Sequence, residues 1–102
     1  MPTLAEQNDH YRKTTDVIRL TLAVQELGEP AINKLLEQVR ADETFTPDND
    51  PHGEHDLGQI EFDGQTFFWK IDYYGENTFM DADNPVPHDA SRSLTIMRAD
   101  EY

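Results

Sequence analysis

The chain contains no cysteine, and it has no apolar run long enough to cross a lipid bilayer. The first absence excludes disulfides, thiol nucleophiles, and zinc or iron–sulfur sites held by cysteine. The second excludes a transmembrane helix, and the opening residues, MPTLAEQNDHYRK, lack the apolar run of a signal peptide. From these absences we expect a soluble cytoplasmic protein that does not associate with membranes.

Basic residues are almost missing from the middle of the chain. Residues 41–91 contain thirteen acids and a single base, Lys70, which gives them −12 of the total charge of −13. Residues 1–40 carry six acids and five bases, and residues 92–102 balance to zero. With a pI near 4.4, the protein is expected to repel nucleic acid and anionic lipid. The expected partner is therefore a basic protein surface, with no direct binding to nucleic acid.

The length of 102 residues, with 36% apolar and 10% aromatic side chains, fits one small domain over residues 1–102. Thr3-Leu4-Ala5-Glu6 matches a capping box and predicts a short helix over residues 4–13. A second, amphipathic helix is predicted in PAINKLLEQVRA, because apolar residues recur there at helical spacing. That apolar stripe consists of Ile32, Leu35, Leu36 and Val39.

Residues 17–24, VIRLTLAV, fit two structures. The β-branched composition favours a strand, in which every second side chain from Ile18 to Val24 lies on one face. The same letters also fit a helix capped by Asp16. We predict a strand and keep the helix as the alternative.

A hairpin is predicted around Asp63-Gly64, the dipeptide favoured in two-residue turns, which separates QIEF from QTFFWKIDYY. On the second strand Phe67, Trp69, Ile71 and Tyr73 share one face, which we assign to the core. SLTIM (93–97) is predicted as a last strand with a frayed end at residues 100–102, and residues 75–91 as an irregular loop.

The order of these elements, α-β-α-β-β-β, predicts an α+β fold. We expect a single domain with an antiparallel sheet of about four strands. The amphipathic helix packs on one face of this sheet, and the short N-terminal helix lies at the periphery.

Four strings resemble a small bacterial family, domain of unknown function 3768: FTPDNDPHGEHDLG (45–58), FWKIDYYGE (68–76), LTIMRADEY (94–102) and the AINKLLEQVRA helix. The resemblance extends from about Val17 to Tyr102. That family is found mostly in alphaproteobacteria, often on plasmids and other mobile elements. The resemblance implies a compact bacterial cytoplasmic domain and no established activity. By association alone, it also suggests an inhibitor of host restriction or CRISPR defences.

The loop TPDNDPHGEHDLG, residues 46–58, contains four carboxylates, two histidines and no base. Imidazole and carboxylate are suitable ligands for zinc, manganese, iron or nickel. A divalent metal site is therefore one hypothesis for this segment, although the sequence identifies no particular cofactor. Its candidate ligands are Asp48, Asp50, His52, Glu54, His55 and Asp56.

Other interpretations of the same loop stay open. Calcium binding is a poor match, because the twelfth position of an EF-hand template is Gln59 instead of glutamate. A metal-dependent hydrolase would use Glu54 as its base, with Lys70 or Tyr74 stabilising developing charge. The loop also fits a purely structural role, in which its carboxylates cap turns. Nothing else in the sequence indicates catalysis, and a protein that is not an enzyme is favoured.

The charge pattern supports a different hypothesis, which we favour. A surface of spaced carboxylates can occupy a groove that binds DNA or RNA on another protein, as a nucleic-acid mimic. On a strand, residues two apart point the same way about 6.6 Å apart, and we expect Glu61 and Asp63 to do so. The candidate partner-binding residues of this acidic inhibitor are Asp56, Glu61, Asp63, Asp81, Asp83 and Asp89.

Overall fold

The computed structural model of the protein describes residues 3–48, 50–51, 53–74 and 91–102. The irregular loop predicted for residues 75–91 lies outside these ranges except at its last residue, which begins a strand. In chain order the elements are helix α1 (Leu4–Thr14), strand β1 (Ile18–Leu20), helices α2 (Leu22–Gln25) and α3 (Ala31–Ala41), strands β2 (Leu57–Phe62), β3 (Gln65–Tyr74) and β4 (Ser91–Arg98), and a 3-10 turn (Ala99–Glu101).

Both predicted helices are confirmed. The hydroxyl of Thr3 accepts a hydrogen bond from the Glu6 amide at 3.1 Å, and the Glu6 carboxylate accepts one from the Thr3 amide at 3.3 Å. This is the capping box that starts α1. Helix α3 follows Pro30, and its apolar stripe places Leu35 and Val39 in the core. Within the described ranges, no helix is long and apolar enough to cross a membrane.

The four strands form one sheet in the order β1-β4-β3-β2. The pairs β2–β3 and β3–β4 are antiparallel, but β1 runs parallel to β4, with Ile18 opposite Leu94 and Leu20 opposite Ile96. The α+β class and the four strands are confirmed, whereas the purely antiparallel sheet is wrong. Parallel neighbours need a long connection, and here the helices and the whole β2–β3 hairpin supply it.

The prediction of one strand over residues 17–24 is wrong, because the extended chain ends at Leu20 and α2 follows. The Glu101 carboxylate explains this change, since it accepts hydrogen bonds from the Thr21 hydroxyl at 2.6 Å and the Ala23 amide at 3.0 Å. It thereby satisfies one of the free amides at the start of α2. As a result Leu22, expected on the same face of a strand as Ile18 and Val24, is 67% exposed, whereas Val24 is fully buried.

One face of the sheet carries the core, as predicted for β3. Phe67, Trp69 and Ile71 are almost completely buried there, while Lys70 on the opposite face is exposed and Phe68 is half-buried. All three helices supply side chains to this core, α1 through the partly buried Tyr11. Its fully packed members are Val24, Leu35, Val39, Ile60, Phe67, Trp69, Ile71, Leu94 and Ile96.

The hairpin turn is confirmed at Asp63-Gly64. Their φ angles of 52° and 76° are both positive, which a two-residue type I′ turn requires. The same geometry corrects the expected alignment of two acids. Asp63 has left the strand, so Glu61 and Asp63 are not two successive outward residues of one strand.

Gly58 lies opposite Trp69 in the β2–β3 pairing, and it leaves no room for a side chain. A methyl group there would collide with the indole ring and with the Asp42 carboxylate. We therefore expect Gly58→Ala to lower the free energy of unfolding by about 1–3 kcal/mol, measured by urea denaturation. The neighbouring change Gln59→Ala, at an exposed position, is the control and should stay within about 0.5 kcal/mol of wild type. Equal stability of both variants would contradict this packing.

Candidate functional site

The acidic loop, residues 46–58, is closed on itself by Asp50. One oxygen of this carboxylate accepts the Glu54 amide at 3.0 Å, and the His55 amide lies 3.4 Å from both oxygens. The Asp50 side chain is only 7% exposed. Because His55 has a positive φ of 54°, the chain turns sharply after Glu54. Asp50 therefore shapes the loop from inside, as the structural interpretation of the sequence expected.

The ring of His55 fixes the closed loop to helix α1. Its Nδ1 lies 3.0 Å from both carboxylate oxygens of Asp9, and its Nε2 lies 3.6 Å from Asp50. One face of the ring stacks on Phe45 at 3.8 Å between centroids, with the planes only 6° apart. The imidazole thus joins the loop to a helix that lies 46 residues away in the sequence.

Beneath this contact lies Arg12, a cation with a fully buried side chain. Its Nη2 donates to the carbonyl of Asp42 at 2.8 Å, and its Nη1 donates to Asp9 at 3.1 Å. The guanidinium also lies 4.6 Å from the ring of Trp69 and 5.4 Å from that of Phe45. Aromatic faces and a carboxylate offset part of the cost of removing the charge from water.

A second buried anchor is Asn8, also on α1. Its Nδ2 donates to the Glu54 carbonyl at 2.9 Å and to the Tyr73 hydroxyl at 2.8 Å, while its Oδ1 accepts from Arg92 at 2.9 Å. Burial raises the pKa of Tyr73 to about 12, against the lowering effect of the bond from Asn8. The carboxylates of Asp56 and Glu54 raise it further. Asn8 therefore joins the acidic loop, β3 and β4 at one point.

The end of α3 is fixed by a third contact. The indole Nε1 of Trp69 donates to the Asp42 carboxylate at 2.8 Å, and the other Asp42 oxygen accepts from the Thr44 amide at 3.0 Å. Asp42 is therefore buried with hydrogen bonds to both oxygens, a condition under which a buried carboxylate is tolerated. Together the contacts of His55, Asn8 and Asp42 hold the described part of residues 42–58 against the helices and the sheet.

The structure brings together only part of the predicted metal site. Asp50 and His55 are neighbours, but the carboxylate that faces His55 most closely is Asp9, which was not among the candidate ligands. His52 lies outside the described residues. Among the residues that the structure does describe, no group of three or more histidines and acids could hold a metal ion. The divalent metal site and its hydrolase variant stay predictions.

Of the six predicted partner-binding acids, three lie among the described residues and three lie outside them. Glu61 is exposed on β2, where it accepts hydrogen bonds from Thr66 at 2.8 Å and Gln59 at 3.1 Å. Asp63 is exposed in the hairpin turn, and Asp56 is partly buried. The other three candidates lie outside the described residues: Asp81, Asp83 and Asp89.

The frayed end predicted for residues 100–102 is wrong, because this segment is part of a fixed 3-10 turn. Hydrogen bonds from Arg98 to Asp100, at 2.6 and 2.8 Å, lower the pKa of the Asp100 carboxyl. The pKa of Glu101 is also lowered: desolvation opposes this shift, and the bonds from Thr21, Ala23 and Arg98 outweigh it. The C-terminal turn therefore holds the start of α2 against β4.

The chain matches one family model, described as "Protein of unknown function (DUF3768)", over residues 20–101. This match covers most of the chain and confirms the resemblance found in the sequence. The protein belongs to the DUF3768 family. No curated protein and no solved structure matches it. Membership of DUF3768 assigns the chain no activity.

Sequence reasoning missed Asn8 and Arg12, although this DUF3768 chain carries a signal for them. On α1 these two residues are four apart and flank Tyr11, so they lie on the face that turns inward. Polar residues in the place of an apolar stripe, on a helix with few apolar residues, indicate a buried polar network. The C-terminal turn had a similar signal, since Glu101 follows Arg98 at capping-box spacing.

The contact between His55 and Asp9 should contribute measurably to stability. In a double-mutant cycle with His55→Phe, which preserves stacking on Phe45, and Asp9→Asn, we expect a coupling energy of about 1 kcal/mol by chemical denaturation. The matched control is the exposed pair of Lys13 and Glu43, 3.5 Å apart, changed to Met and Gln. That cycle should give less than about 0.5 kcal/mol, because solvent screens it. Equal coupling in the two cycles would refute an anchoring role for His55.

The lowered pKa of Glu101 predicts a specific loss of stability in acid. Its folded pKa lies below the ordinary value of 4.5, so its contribution is complete above that pH and disappears as the pH falls through the folded value. Wild type should therefore lose more unfolding free energy than Glu101→Gln between about pH 5 and pH 3. Thr21→Val removes one donor to the carboxylate and should give an intermediate profile. Parallel pH profiles of all three proteins would contradict the assignment.

Proposed function

We propose that this protein acts by binding a basic surface of another protein through residues 41–91 and thereby blocks a groove that binds nucleic acid. The observation that carries this proposal is the charge of −12 in those residues, part of which lies on a loop that buried contacts hold in place. A groove for DNA or RNA is a concentrated basic surface, and an acidic protein competes for it by electrostatic complementarity.

The bases within this region do not cancel its charge. Its one base, Lys70, lies 3.2 Å from Asp72 on the same strand, so its charge is already paired. The carboxylates of Asp48, Glu61 and Asp63 are all exposed. In water, exposed charges of one sign attract an oppositely charged partner over about 8–10 Å at physiological salt. Binding of this kind should be fast and sensitive to salt.

The fixed loop adds to this argument. A flexible loop would lose conformational freedom on binding, which weakens the complex by about 0.5–1.5 kcal/mol for each ordered side chain. Here the contacts of Asp50, His55 and Asn8 already hold the chain at Glu54 and His55 before any partner arrives. The supporting feature is therefore a held acidic surface, and not the regular strand spacing of Glu61 and Asp63. A defence protein of a bacterial host is the partner class we favour.

The test uses two variants that remove equal charge. One changes the predicted partner residues, Asp56→Asn, Glu61→Gln and Asp63→Asn. The control changes three exposed acids of the first forty residues: Asp16→Asn, Glu29→Gln and Glu37→Gln. Each protein is used to capture partners from a bacterial lysate at several salt concentrations, and the captured protein is then offered labelled duplex DNA and single-stranded RNA.

We expect the first variant to bind the captured partner roughly tenfold more weakly and with a smaller salt dependence, because each exposed pair contributes about 0.2–1 kcal/mol. The control variant should bind like wild type. Wild type should also displace the labelled nucleic acid from the partner. Equal binding by both variants, or a partner that holds protein and nucleic acid together, would overturn the proposal.

A further inference from the structure

On the side of the sheet opposite the helices, a pocket of about 320 Å³ lies between the acidic loop, strand β2 and the C-terminal turn. Phe68 on β3 and its cross-strand neighbour Gln59 on β2 belong to this outer face. The pocket is bounded by Asp48 from the acidic loop and by Tyr102 after the 3-10 turn. Its lining consists of Asp48, Leu57, Gly58, Gln59, Phe68 and Tyr102.

The aromatic wall of this pocket is held in place by the turn. The rings of Phe68 and Tyr102 lie 5.2 Å apart between centroids, at an angle of 50°. Tyr102 follows directly after Glu101, whose carboxylate is bound by Thr21 and Ala23. The backbone that carries Tyr102 is therefore fixed to α2, while its side chain remains 68% exposed. The Tyr102 ring is therefore exposed at the pocket while its backbone is held in place, and such a ring is available to bind a ligand.

The chemistry of the lining selects one class of ligand. The faces of the two aromatic rings carry partial negative charge and attract cations, and Leu57 offers an apolar contact for a methylene stem. Asp48 supplies a full negative charge at the rim, and its side chain is exposed. None of the described residues that line the pocket is basic, so an anion would meet the Asp48 charge with no cation to offset it. A side chain with an apolar stem and a cationic end fits all of these groups.

We propose that this pocket takes an arginine or lysine side chain of the partner, with the cation against the exposed side of the Phe68–Tyr102 ring pair and facing the Asp48 carboxylate. Arginine fits better, because its planar guanidinium both stacks on rings and pairs with a carboxylate. This inference rests on the proposed function, since it names the part of a basic surface that this face recognises. Such a pocket would add specificity, because charge alone attracts any basic surface without selecting one contact.

The test is a titration with a tetra-arginine peptide, followed by chemical shifts of backbone amides and aromatic rings. A tetra-citrulline peptide, which has nearly the same shape without the charge, is the matched ligand. The protein variants are Tyr102→Ala, which leaves the net charge unchanged, and Asp48→Asn. Their controls are Val17→Ala and Asp16→Asn, exposed changes of the same types next to β1, at the opposite edge of the sheet.

We expect tetra-arginine to shift the resonances of Phe68, Gln59 and Tyr102, and tetra-citrulline to leave them in place. Tyr102→Ala and Asp48→Asn should each weaken tetra-arginine binding by about three- to tenfold, in line with one cation–aromatic contact or one charge pair. The two control variants should bind like wild type, and all variants should keep the wild-type unfolding midpoint within a few degrees, on the order of a surface change.

Two results would contradict the proposal that this pocket binds a cationic side chain. In the first, tetra-arginine binds all variants equally and shifts acidic residues all over the surface, which leaves the proposed function intact without a dedicated pocket. In the second, tetra-citrulline binds as tightly as tetra-arginine, which assigns the pocket to a neutral ligand. Failure of the proposed function is detected separately, because the Asp56, Glu61 and Asp63 variant leaves every lining residue of the pocket unchanged.

Discussion

The buried guanidinium of Arg12 connects parts of the chain that lie far apart in the sequence. Its donors reach Asp9 on α1 and the carbonyl at the end of α3, and its flat faces lie near the rings of Trp69 and Phe45. A buried cation costs several kcal/mol unless its surroundings are arranged to compensate. A shift of the end of α3 or of the Trp69 indole would remove part of that compensation. The acidic loop is connected to this cation indirectly, because Asp9 and Phe45 contact both Arg12 and His55.

This arrangement divides the acids of the protein into two groups. Asp9, Asp42 and Asp50 turn inward and accept hydrogen bonds from the chain itself, so their charges support the fold. Asp48 and Glu61 turn outward and are exposed. The composition alone counts both groups equally and so overstates the charge that a partner meets. The part of the surface open to recognition is smaller, and its position is better defined, than a net charge of −13 suggests.

Features set by neighbouring residues were predictable from the sequence. The capping box at Thr3, the stripe of α3 and the turn at Asp63-Gly64 each depend on a few consecutive residues, and each was placed correctly. The parallel pairing of β1 depends on contacts between residues 76 apart, such as Ile18 and Leu94, which no local pattern encodes. In the candidate site, too, local neighbours were predictable and distant ones were not. Asp50 and His55 were found because they share one loop, whereas Asp9 reaches them from another element.

The parallel pair of β1 and β4 also has a consequence for biosynthesis. Ile18 lies opposite Leu94, so the sheet stays incomplete until β4 has left the ribosome. Contacts between such distant segments form late, after the short β2–β3 hairpin, because a long chain must first be brought together. Until then, the aromatic face around Trp69 lacks the strand that separates β3 from β1. A chain released before β4 would therefore be an aggregation-prone fragment instead of a smaller working domain.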